Sequence, residues 1–146
     1  MDMTRAMDVL LVEDNALDAE LTKHALLERH LAKSVSVVED GADALDFVFC
    51  RGRYADRDIA LPKVVLLDLK LPKMGGLEVL RALRADERTR FIPVVILTSS
   101  REDSDMNAAY ALGANSYVVK PIDFDAFALA MGKLGLYWLL VNQSPQ

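Results

Sequence analysis

Four short stretches of this 146-residue chain are apolar without interruption, and each stops at residues that belong near water. Val9-Leu10-Leu11-Val12 runs into Glu13-Asp14, and Val64-Val65-Leu66-Leu67 into Asp68. Val94-Val95-Ile96-Leu97 runs into Thr98-Ser99-Ser100, and Tyr117-Val118-Val119 into Lys120-Pro121. A strand with one wet face alternates apolar and polar residues. A strand without alternation is covered on both faces, and a parallel sheet between two layers of helices does this repeatedly. In such a sheet the carboxyl ends of the strands line the crevice where ligands bind. The acids, hydroxyls and amine that close the four runs are therefore expected at one edge of one sheet. Together they form the donor set of a metal-assisted phosphoryl-transfer site. A helix cap or a turn is the lesser reading of Asp68 standing alone; the repetition favours a site further.

The segments between the runs read as helices and one further strand. The first strand is expected at about 8–12, and Asn15 can cap a helix to about Arg29, with Leu17, Leu21, Ala25 and Glu28 spaced for one face. A second strand is expected at 34–38, broken by Asp40-Gly41. A helix follows over 42–49 with Leu45 and Phe49 inward, and Arg51 to Lys63 is a long polar connection with Gly52 and Pro62. After the strand at 64–67, the loop 69–76 holds Pro72 and Gly75-Gly76. A third helix uses Leu77, Leu80 and Leu83 or Arg84. Pro93 opens the fourth strand, a fourth helix covers 103–112 and stops at Gly113, and the fifth strand is 116–119. A fifth helix starts near Asp123 and runs into Tyr137-Trp138.

The length suits one domain. At 52% hydrophobic and 27% charged residues the composition is that of a globular protein. A net charge of −5 without a Lys/Arg stripe argues against binding nucleic acid directly. Cys50 is the only cysteine, so no internal disulfide or cysteine metal site can form; a buried free thiol is expected. Neither a signal sequence nor a membrane-length apolar run is present, so the expected location is the cytoplasm, with no membrane partner. His24 and His30 read as solvated positions on the first helix, and the charges between Arg81 and Arg90 as a solvated face.

The ordered set Glu13-Asp14, Leu67-Asp68 followed by Leu71-Pro72 and Gly75-Gly76, Leu97-Thr98-Ser99, Tyr117 and Lys120-Pro121 resembles the receiver domain of response regulators, the phosphoacceptor half of two-component signalling. The resemblance spans about Asp8 to Leu140, giving a receiver at 1–140 and a tail at 141–146. It implies an α/β flavodoxin-like (βα)5 fold with strand order 2-1-3-4-5. It also implies phosphorylation of Asp68 by a sensor histidine kinase. The long 51–63 connection and the terminal Tyr137-Trp138-Leu139 resemble the stand-alone, phytochrome-associated type, for which the kinase would be a bacteriophytochrome. Output is then expected from the receiver itself. In the family the hydroxyl at the Thr98 position moves toward the phosphoryl group and the aromatic at the Tyr117 position turns inward.

The residue types suit that chemistry on their own terms. Glu13, Asp14 and Asp68 in one crevice repel, and a hard divalent cation neutralises them. Magnesium is expected, with Asp14 and Asp68 as direct ligands, Glu13 through water, and a backbone carbonyl near Lys70. Asp68 is the expected nucleophile toward phosphorus. Lys120, the Thr98 hydroxyl and the Ser99 amide are expected to hold phosphoryl oxygens. Lys70 itself can partly cover the phosphoryl group.

Other functions are weaker fits. A phosphohydrolase of haloacid-dehalogenase-like type needs a second acid two residues after its nucleophile, where this chain has Lys70. A phosphorylation-independent interaction module would not need the complete set Glu13, Asp14, Asp68, Thr98 and Lys120. A flavin carrier would need a glycine- and hydroxyl-rich loop in place of Glu13-Asp14-Asn15. Gly75-Gly76 lacks the spacing and lysine of a nucleotide loop and is expected to serve permissive backbone angles. Between Phe124 and Val141 only Asp125 and Lys133 are charged. Phe124, Phe127, Met131, Leu134 and Trp138 form one stripe, and Leu129, Leu136, Tyr137, Leu139 and Leu140 need a second cover. A homodimer through the fifth helix and C-terminal extension is expected.

Overall fold

The computed structural model describes residues 9–57 and 61–131. Five strands, β1 (Val9–Val12), β2 (Val35–Val38), β3 (Val64–Leu67), β4 (Val94–Thr98) and β5 (Ser116–Val119), form one parallel sheet in the order β2-β1-β3-β4-β5. The helices are α1 (Ala16–Glu28), α2 (Gly41–Val48), α3 (Gly76–Ala85), α4 (Asp103–Ala111) and α5 (Phe124–Met131).

Successive strand residues point to opposite sides, and β1, β3 and β4 are buried on both faces, whereas β5, at the edge of the sheet, is half-buried throughout. Leu10, Val12, Val65, Leu67, Val94 and Ile96 join Leu45, Leu80 and Leu83 of α2 and α3 in one core. Val9, Leu11, Val64, Leu66, Val95 and Leu97 join Leu26 of α1 and Phe127 of α5 in the other. Register positions the strand-end residues. Val12 lies beside Leu67, so Glu13 and Asp68 leave the sheet as neighbours. Thr98 lies beside Val119, so Lys120 emerges next to the Thr98 end of β4.

Local signals fix the helix starts. Asn15 Oδ1 accepts the Asp18 amide at 2.9 Å, and Asp40 Oδ1 accepts the Asp43 amide at 2.7 Å. The inward face of α1 differs from the sequence expectation: Ala19, Thr22 and Leu26 are buried, while Leu17 and Leu21 are exposed. Both sets share helical spacing. Small Ala19 and Thr22 let the helix sit close to the sheet, which turns the leucines outward. Phe49 and Cys50 are half-buried, so the expected buried thiol is not found. Phe49 meets Arg51 and Arg88 at its ring, a contact that keeps it near the surface.

The stretch from Arg81 to Arg90 is not wholly a solvated face. Arg84 donates to the carbonyls of Gly113, Arg90 and Ile92 and to Asn115 Oδ1, fastening the end of α3 to the turn before β5. Burial lowers its pKa. Thr89 is buried and donates to the Leu83 carbonyl at 2.6 Å. The fifth helix is described to Met131, so its expected run into Tyr137-Trp138 lies outside the described residues.

Candidate functional site

Asp68 follows β3 and is 7% exposed, enough for one edge to meet solvent. Its amide donates to the Val12 carbonyl at 3.1 Å, continuing the sheet by one residue. Its Oδ1 accepts the Lys70 amide at 3.2 Å, and its Oδ2 accepts Lys120 Nζ at 3.1 Å. Behind it lies α3. A side chain on Gly76 would collide with the Asp68 carbonyl oxygen, so glycine allows the helix to start against the Asp68–Leu69 backbone. Neither Gly75 nor Gly76 has a positive φ, which corrects the expectation of permissive angles: close approach is what this turn requires.

Glu13 and Asp14 come from the end of β1. Glu13 is buried, with Oε1 accepting Lys120 Nζ at 2.6 Å and Oε2 accepting the Asn15 amide at 3.1 Å. Burial raises its pKa, against the lowering pull of those two hydrogen bonds. Asp14 is exposed. Oxygens of Glu13, Asp14 and Asp68 lie within 4.8 Å of one another. Three converging carboxylates, one of them open to solvent, suit a hard oxygen-seeking divalent cation, so the expected metal fits the donor set.

Lys120 follows β5 and reaches back across the crevice. Its ammonium contacts Glu13, Asp68 and also Asp18 Oδ2, the last at 3.2 Å. Burial works against the charged amine, but hydrogen bonds to Glu13 and Asp68 and the charges of both outweigh it and raise the Lys120 pKa. The Lys120 and Glu13 shifts pull in opposite senses on one pair. With 2.6 Å between the groups, the charge-assisted bond decides, and the pair is ionised at neutral pH.

Thr98 is fully buried at the end of β4, and its Oγ1 accepts the Ser100 amide at 3.4 Å. Ser99 is exposed. The Tyr117 hydroxyl donates to the Ser100 carbonyl at 3.2 Å from a half-buried ring that leans toward Tyr110. Ser100 Oγ donates to Asp105 Oδ2 at 2.6 Å and accepts the Glu102 amide at 3.3 Å, fixing the start of α4.

All the expected carboxylates and Lys120 thus meet at one edge, with Thr98 and Ser99 at the end of the neighbouring strand. The Lys70 side chain is exposed; its amide, not its amine, meets Asp68. Sequence reasoning missed Asp18 and Ser100. In the sequence Asp18 is marked only as an acid in the first turn of α1. Ser100 was visible only as the third residue of Thr98-Ser99-Ser100.

The chain matches the family model described as the response regulator receiver domain over residues 9–131. The probable methanogenesis regulatory protein FilR2 of Methanothrix harundinacea is 40% identical over 140 residues, covering 94% of this chain and 86% of that protein. Response regulator Rcp1 of Synechocystis sp. is 34% identical over 132 residues, covering 90% of this chain and 88% of Rcp1. The Mn(2+)-bound form of Rcp1 superposes with a TM-score of 0.77 at 33% identity, covering 96% of this chain and 99% of that one. The bacteriophytochrome response regulator RtBRR gives a TM-score of 0.82 at 48% identity, covering 96% of this chain and 84% of that one.

Proposed function

We propose that this chain, which belongs to the response regulator receiver domain family, carries its signal as a phosphoryl group on Asp68, received from the phosphohistidine of a sensor kinase. The observation that carries the reading is the convergence of Lys120, Asp68 and Glu13 from three different strand ends, with Asp14 alongside. A carboxylate oxygen of Asp68 forms the new bond to phosphorus as the P–N bond to the donor histidine breaks. The imidazole keeps the electron pair and takes a proton from solvent. Lys120 then turns one N–H from Asp68 Oδ2 to a phosphoryl oxygen, and the Ser99 amide and Thr98 hydroxyl hold others.

Asp14 and Asp68 would hold a magnesium ion directly, Glu13 through water, and the Lys70 carbonyl would complete the protein ligands. When bound, the ion neutralises the carboxylates that would otherwise repel the incoming phosphoryl oxygens. The manganese of Rcp1 supports a divalent ion at this kind of site. The haloacid-dehalogenase-like alternative has no support, because the exposed Lys70 stands where that chemistry needs an acid. Transfer to Asp68 and later hydrolysis are the only reactions proposed for the chain.

The switch would pass through Ser100. Thr98 Oγ1 gives up the Ser100 amide when it turns to the phosphoryl group, and the same residue carries the Tyr117 contact and the anchor of α4. Tyr117 is already tied inward to this loop, so phosphorylation would stabilise an arrangement the resting chain can reach.

RtBRR, at 48% identity, makes a bacteriophytochrome kinase the proposed donor, working in the cytoplasm. The homodimer is proposed on the outer side of α5. Phe127 is buried and Phe124 half-buried within the domain, while Leu129 is exposed and points away from that stripe. Met131 closes the described helix, and Leu134 and Trp138 lie outside the described residues. Phosphotransfer from an autophosphorylated bacteriophytochrome kinase tests the assignment: rapid movement of label to the wild type and none to Asp68→Asn is expected. Labelling of both variants, or of neither, would overturn it.

A further inference from the structure

We propose that Asp18 is a positioning residue for phosphoryl transfer, acting by holding the Lys120 ammonium in line with the acceptor; this rests on the reading of Asp68 as that acceptor. A lysine ammonium has three N–H donors and no acceptor. Here each has a carboxylate within reach: Glu13 at 2.6 Å, Asp68 at 3.1 Å and Asp18 at 3.2 Å.

The three acids fare differently during the reaction. Asp68 becomes an acyl phosphate, and its contact with Lys120 passes to a phosphoryl oxygen. Glu13 belongs to the carboxylate cluster that suits the metal, and its second oxygen is taken by the Asn15 amide. Asp18 is outside that cluster and is not phosphorylated, so it keeps its charge and its place throughout. Its backbone is pinned as well, since its amide is the one capped by Asn15 in the first turn of α1.

The surroundings explain why a third fixed point is needed. Asp18 and Lys120 line an open groove of 440 Å³ with Leu21, Ser99 and Ile122. Without the Asp18 carboxylate, one N–H of Lys120 would face the water of this groove, and the four-carbon stem would let Nζ pivot about its remaining partners. Phosphoryl transfer gains from donors set before the charge develops, so a pivoting ammonium lowers the rate even though Lys120 remains present. A carboxylate that merely repelled the incoming phosphoryl group would have the opposite effect.

The experiment uses the full chain with acetyl phosphate and magnesium, following the phosphorylated fraction by intact mass. Asp18→Ala is expected to slow phosphorylation about fivefold, and Asp18→Asn about twofold, because the amide oxygen still accepts from Lys120. Unfolding midpoints measured alongside identify any loss due to misfolding, and Asp18→Asn, nearly isosteric, serves if Asp18→Ala is unstable. Against a Lys120→Ala background, Asp18→Ala is expected to cause no further slowing, which a general structural role would not reproduce. Rates equal to or above wild type in the folded Asp18 variants would overturn the proposal, as would the same fractional loss with and without Lys120. Failure of wild type to be labelled on Asp68 at all would instead refute the underlying function.

Discussion

Replacing Gly76 with alanine puts a side chain where the structure allows none. A methyl there would run into the Asp68 carbonyl oxygen and stand 2.7 Å from Leu69 Cα and 3.0 Å from the Asp68 carbonyl carbon. All of these are backbone atoms, so no rotamer change relieves the contact. Non-bonded carbons settle at about 3.5–4.0 Å, so α3 and the Asp68–Leu69 backbone must part by roughly 1 Å. The Gly76 amide donates across the same gap to the Leu69 carbonyl at 2.9 Å, and that bond stretches with it. Overpacking of this kind costs about 1–3 kcal/mol. Removing a glycine from a helix returns up to about 1 kcal/mol, which leaves a net loss of up to about 2 kcal/mol. The larger effect falls on Asp68, since a reacting group displaced by about 1 Å can lose up to about a hundredfold in rate. Gly75→Ala is the control: its φ is −69° and its side chain would meet the Leu69 carbonyl oxygen at an ordinary 3.6 Å. Urea unfolding and acetyl phosphate labelling measure both effects. A Gly76→Ala protein with the stability and labelling rate of wild type would refute the close-approach explanation.

Three further outcomes are expected. The Arg88 side chain and amide hold the Asp86 carboxyl down to about 2 from its ordinary 3.8. That contact contributes stability above pH 3.8 that is lost as pH falls toward 2; carbon NMR should show a low Asp86 midpoint in wild type and a higher one in Arg88→Ala, which keeps only the amide donor, and equal midpoints would contradict it. Lys70, exposed beside the acceptor, should slow hydrolysis of the phosphoryl group, so Lys70→Asn should lose its label faster; equal decay would mean the side chain simply points to solvent. Light scattering should find a wild-type dimer that Leu129→Asp weakens, whereas a wild type monomeric at micromolar concentration, phosphorylated or not, rules the dimer out.

The sheet was legible because its signals are local. The run 64–67 matches β3 to the residue, since uninterrupted apolar sequence bounded by polar residues leaves little choice of edge, and the strand expected at 116–119 matches β5. The four apolar runs delivered Glu13, Asp68, Thr98 and Lys120 to one side, because parallel strands in register end together. What stayed hidden depends on packing between distant segments. Two stripes of α1 have helical spacing, and only the close sheet contact of Ala19 and Thr22 selects between them. Asp18 meets Lys120 across 102 residues, so its sequence position betrays nothing beyond a first-turn acid. Arg84 looks like any surface arginine until its four carbonyl and amide acceptors are assembled around it.

The most direct measurement is intact mass after incubation with acetyl phosphate and magnesium. Wild type should gain one phosphoryl group and Asp68→Asn none. Chelating the metal, or Asp14→Ala, should suppress labelling of the wild-type acceptor, because the incoming oxyanions would meet unneutralised carboxylates. Labelling of Asp68→Asn to the wild-type extent would contradict the assignment of Asp68 as the phosphoryl acceptor.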